Sequence, residues 1–97
     1  MQFDVDGRAA FAGTGGRPFD AKQPAVLFLH GAGMDHTVWA LQARYFAHHG
    51  RAVLAPDLPG HGRSEGPPLA TVADMAAWAL RLLDAAGAGR GARGGAG

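Results

Sequence analysis

Apolar and polar positions divide the chain into short elements. Phe3-Asp4-Val5 and Arg8-Ala9-Ala10-Phe11 flank Asp6-Gly7. Asp-Gly accepts the positive φ angles of a two-residue type I′ turn, so these segments predict a β-hairpin. Gly13 to Pro24 is a loop by composition, with Gly15-Gly16, Pro18 and Pro24. Ala25-Val26-Leu27-Phe28-Leu29 is continuously apolar. A strand apolar on both faces belongs in a parallel sheet with helices on both sides. His30 to His36 is Gly-punctuated, and a helix is predicted from Thr37 to His49. Val38, Leu41 and Tyr45 fall on one stripe of it, with Trp39 and Phe46 beside them and Gly50 at the C-terminal end.

Arg51-Ala52-Val53-Leu54-Ala55 is a second buried-strand candidate, stopped by Pro56, and a loop follows from Asp57 to Pro68. Thr71 is placed to cap a last helix, with Asp74 at the capping-box position. Val72, Met75, Ala76, Ala79 and Leu83 then recur at helical spacing up to Gly87. The order hairpin, strand, helix, strand, helix predicts an α/β fold with a right-handed crossover. From Gly87 the chain is only Gly, Ala and Arg. Such a segment has no large apolar side chain to offset its ordering entropy, so residues 88–97 are expected to be a disordered tail behind a domain at 1–87.

Composition narrows the class. The chain has 97 residues, net charge +1, 47% apolar and 18% charged residues. That suits one small globular unit or part of a larger one. The small net charge gives no reason to expect nucleic acid or an anionic membrane as partner. Arg90 and Arg93 in the tail could neutralise few phosphates and have no aromatic beside them. Cysteine is absent, which removes disulfides, thiolate metal sites and Cys nucleophiles. The five histidines have no acidic residue at ligand spacing, so no metal site is predicted. The first residues carry neither a basic nor an apolar signal-peptide region, and the expectation is a cytoplasmic protein.

Two segments could carry chemistry. His30-Gly31-Ala32-Gly33 follows the first buried strand and precedes a helix. It lies where open α/β sheets bind ligands, and its glycines let backbone N–H groups approach an anion. The same residues also suit a tight connection with no further role. Asp57-Leu58-Pro59-Gly60-His61-Gly62-Arg63-Ser64 follows the second strand and reads as a turn in which Asp57 accepts backbone N–H bonds.

Together, His-Gly-x-Gly after one strand, Trp39, and Asp-x-x-Gly-x-Gly-x-Ser after the next resemble the α/β-hydrolase superfamily. The resemblance covers residues 3 to about 87 and implies the N-terminal part of that fold, with an incomplete sheet. It implies an oxyanion loop at His30, Gly31, Ala32 and Gly33, with the Ala32 backbone N–H as one donor and a small-molecule substrate in the parent enzyme. It implies no cofactor. Esters or lactones are the commonest substrates by resemblance; epoxides, carbon–halogen and carbon–carbon bonds are alternatives.

The departures are as informative. No G-x-S-x-G occurs in the sequence, and its one serine, Ser64, stands in the turn rather than at a nucleophile elbow. No residue is therefore assigned as catalytic, and the 97 residues by themselves are expected to be inactive. In the resemblance His30 belongs to the oxyanion loop and is not the triad base. The expectation is a truncated hydrolase, with a frameshift or gene-model error near residues 88 to 92. A binding protein that lost its triad, or a non-functional product, are the alternatives. The oligomeric state is left open. Without a following strand, Ala25–Leu29 would present an unpaired apolar edge, an aggregation liability.

Overall fold

A computed structural model describes residues 1–31, 33–87 and 93–96. Strands β1 (Gln2–Val5) and β2 (Arg8–Gly13) pair antiparallel with Val5 opposite Arg8. Asp6 and Gly7 join them at φ 56° and 77°, the two positive values a type I′ turn requires. β3 (Ala25–Phe28) and β4 (Ala52–Pro56) pair parallel, and β4 also pairs antiparallel with β2. The sheet order is β1-β2-β4-β3-β5.

The last strand is β5 (Arg93–Ala96). It pairs parallel with β3 from Ala25↔Arg93 to Phe28↔Ala96. The backbone ladder along the free edge of β3 needs no apolar side chain, so composition gave no sign of it. The same pairing removes the bare β3 edge expected from the sequence. Residues 88–92 and 97 lie outside the described residues, as does the part of the disorder reading that falls on them.

The double-sided burial expected for β3 and β4 is present. Ala25, Leu27 and Leu54 join Trp78, Ala79, Leu82 and Leu83 in one core. Val53, Ala55 and Phe28 join Ala43 and Ala47 in another. Successive strand residues point to opposite faces, and each face meets one helix. Helix α2 (Val72–Ala85) covers the first face, and the Thr71 hydroxyl caps it by accepting from the Asp74 N–H at 3.0 Å. Met75, Ala79 and Leu83 face inward as the pattern predicts, whereas Val72 and Ala76 are exposed.

The other helix departs from its predicted face. It begins as a 3₁₀ turn (His36–Trp39) and continues as α1 (Ala40–Ala47). Ala43 and Ala47 face the sheet with Trp39 and Phe46, while Val38, Leu41 and Tyr45 point to solvent. The tighter first turn shifts the phase of the stripe. Close approach also selects alanine, since a Cβ on Gly15 would lie 2.4 Å from the Ala43 carbonyl. Among the described residues no helix is long and apolar enough to cross a membrane.

Candidate functional site

The loops after β3 and β4 emerge side by side at the carboxyl ends of these two strands. Between them lies an open cleft of about 600 Å³, lined by Gly33, Met34, Asp35, Thr37, Val38, Gly60, His61 and Gly62. This is where open parallel sheets bind ligands. Of the four predicted site residues, Gly33 lines the cleft, Gly31 is exposed nearby, and His30 is buried at its base. Ala32 lies outside the described residues.

His30 is an anchor. Its Nε2 accepts from the Leu58 N–H at 2.9 Å, and its Nδ1 lies 2.7 Å from the Gly31 carbonyl. One buried imidazole therefore ties the loop after β3 to the loop after β4. The bond crosses 28 positions of sequence and could not be read from either motif alone.

Asp57 holds the second loop. Its side chain is fully buried, and Oδ1 accepts from the His36 N–H at 2.7 Å and lies 2.8 Å from His36 Nδ1. Oδ2 accepts from the Arg63 N–H at 2.9 Å. Burial, the strongest influence, pushes this carboxyl up. The hydrogen bonds from Arg63 N–H, His36 N–H and the His36 ring together outweigh it and hold Asp57 below the ordinary aspartate range. The expected turn role for Asp57 is thus present, and the His36 contact is an addition to it.

Gly62 is required beside this carboxylate: at φ 50°, a Cβ there would lie 2.3 Å from Asp57 Oδ2. Asp35 caps the 3₁₀ turn. Its carboxyl is held low chiefly by the Thr37 hydroxyl and then by the Thr37 N–H.

Ser64 has a structural environment. Its hydroxyl donates to the Asp57 carbonyl at 2.6 Å and accepts from the Phe11 N–H at 2.9 Å. The side chain is buried, and both bonds fasten the turn to β2. The ion-binding capacity is similarly committed. Asp35, His36 and Asp57 bring potential ligand atoms within 4.8 Å of one another, a grouping that linear spacing did not reveal. The hydrogen bonds just described already engage both Asp57 oxygens and His36 Nδ1.

Comparison with known proteins agrees with this geometry. Residues 24–92 match the family profile described as the alpha/beta hydrolase fold. The acetyltransferase component of the acetoin cleaving system of Cupriavidus necator is 41% identical over 87 residues, covering 87% of this chain and 21% of that protein. An epoxide hydrolase of Caballeronia sordidicola is 39% identical over 69 residues, covering 64% of this chain and 20% of that protein. Among solved structures, a CIB-like hydrolase of Thermoplasma acidophilum superposes with a TM-score of 0.79 at 25% identity, covering 99% of this chain and 49% of that one. The chain spans between 10% and 23% of the length of the curated relatives it matches.

Proposed function

The chain belongs to the alpha/beta hydrolase family, and on that premise we propose that it supplies the oxyanion turn and the floor of the substrate cleft of a hydrolase. The substrate is a small molecule with a hydrolysable bond, an ester or lactone in the first instance. In this reading, as the resemblance implies, the Ala32 backbone N–H is a donor to the developing negative charge, with Gly31 and Gly33 flanking it in the sequence. His30 and the Asp57–Ser64 turn hold that path without touching the reacting atoms.

The observation that carries the reading is the cleft itself. It opens at the carboxyl ends of two parallel strands, with Gly33 on one wall and Gly60, His61 and Gly62 on the other. The surroundings of Ser64 support its exclusion from chemistry. Both functions of its hydroxyl are engaged by backbone groups, and among the described residues no imidazole nitrogen bonds to it. An unactivated hydroxyl is a weak nucleophile at neutral pH.

The 97-residue chain alone therefore turns over no activated ester above the imidazole background, and a fluorophosphonate probe leaves Ser64 unlabelled. Saturable esterase activity lost in Ser64→Ala would overturn this. The donor role is tested in a chimera in which residues 24–87 replace the matching segment of the Caballeronia sordidicola epoxide hydrolase. Ala32→Pro, which removes the N–H, should lower its turnover roughly 10²–10³-fold, and Ala32→Gly should leave it near the parent chimera. Turnover untouched by Ala32→Pro would sink the assignment.

A further inference from the structure

Two histidines cross between the loops in opposite directions. His30, in the loop after β3, accepts from the Leu58 N–H in the loop after β4 at 2.9 Å. His61, in the loop after β4, accepts through Nε2 from the Gly33 N–H in the loop after β3 at 3.2 Å. Each Nδ1 lies against a carbonyl of its own loop: Gly31 O at 2.7 Å for His30 and Pro59 O at 3.1 Å for His61. A carbonyl can only accept, so Nδ1 carries the proton in both rings and Nε2 is the acceptor. The ring centroids are 5.1 Å apart.

We propose that His30 and His61 are positioning residues, a reciprocal clasp that sets Gly33, at the end of the turn after β3, against the cleft and holds only while both rings are neutral. The proposal rests on reading that turn as the oxyanion donor. A ring that takes up a proton carries N–H at both nitrogens and turns one toward another N–H, so its cross-loop bond is lost. Asp35 shares the cleft with His61. The two rings face each other, and Arg63 of the second loop lies over the Phe11 ring. Asp57 and His36 are engaged with each other. The clasp therefore makes the position of the turn depend on pH while the strands beneath it stay intact.

Imidazole ¹⁵N shifts and amide exchange in the 97-residue chain test this without any turnover measurement. At about pH 8 both His30 and His61 should carry the proton on Nδ1, the minor form of free histidine. On acidification to about pH 5, the protection of the Gly33 amide should fall about fivefold or more, the order one hydrogen bond supplies. His61→Gln keeps an acceptor that does not titrate. In it the Gly33 step should vanish, while a matching fall at the Leu58 amide, whose acceptor is His30, remains. An Nε2–H form at either ring overturns the clasp, as does an unchanged Gly33 step in His61→Gln. A chain without fixed structure would show the free-imidazole mixture and overturn it too. A clasp found in a protein whose Ala32→Pro chimera keeps its turnover would defeat the hydrolase reading alone.

Discussion

The loops after β3 and β4 start from the same kind of sequence, a buried strand followed by Gly-punctuated residues, and are built differently. In the loop after β4, Asp57, Leu58, Pro59 and Ser64 are buried, and the turn carries its own acceptors. Asp57 gathers N–H groups from His36 and Arg63, and Ser64 bridges Asp57 to Phe11. The Glu65 N–H then continues the contact with β2 by donating to the Ala9 carbonyl at 2.9 Å. In the loop after β3, Gly31, Gly33 and Met34 are exposed; the Met34 N–H donates to the Gly31 carbonyl at 3.2 Å, and the bonds of His30 and His61 tie this turn to the neighbouring loop. A buried carboxylate and hydroxyl make one loop a scaffold. Their lack leaves the other a surface turn positioned by its neighbour, which suits the ligand-facing backbone proposed for it.

The sharpest way to break this contrast is Asp57→Ala. It leaves the His36 and Arg63 N–H groups without their acceptor and should cost about 3–5 kcal/mol, read as a fall in the denaturant midpoint. A loss below about 1 kcal/mol would mean that the carboxylate does not organise the loop. The same group gives a pH dependence. Its folded carboxyl is held below the ordinary aspartate value of 3.8, so its contribution is present above that value. It is lost as pH falls below it through the depressed folded value, because the unfolded chain binds the proton more readily. Asp57→Asn should flatten that acid limb.

Gly62→Ala comes next. Its positive φ and the close Asp57 oxygen should make it cost about 2–3 kcal/mol in the same measurement. Ser64→Ala should cost about 2 kcal/mol, because it removes two hydrogen bonds and strands the Phe11 N–H. Gly33→Ala closes the series. Gly33 also has a positive φ, 78°, but among the described residues a Cβ there meets nothing within 4 Å. Only backbone strain remains, about 1 kcal/mol. If Gly33→Ala proved as costly as Gly62→Ala, the two loops would be equally built and the comparison would fail.

Much of this was legible beforehand because it depends on local rules. Asp6-Gly7 names its turn, the two-sided apolar runs name the buried strands, and Thr71 names its cap. The Asp57–Ser64 segment could be read as a turn for the same reason. The face of α1 could not be read that way. Val38, Leu41 and Tyr45 fit helical spacing as well as the residues that are buried, and the 3₁₀ start and the approach of Gly15 decide between them. Nor could the cross-loop bonds of His30 and His61, since each motif shows a histidine and neither shows its acceptor's partner.

By itself, then, the sequence determined the order of elements from β1 to α2, the family, the position of both loops and the absence of a nucleophile elbow within these 97 residues. The tertiary structure decided which side of α1 is buried, that Arg93–Ala96 pairs with β3, and that Asp57 meets His36. The division has a physical cause. Turn conformations, strand periodicity and caps are set by neighbours a few residues apart, whereas the other three depend on surfaces that exist only after distant segments have met. A backbone edge accepts a strand of almost any composition, a packed face accepts whichever side chains fit the space, and a buried carboxylate takes the donors the fold brings to it.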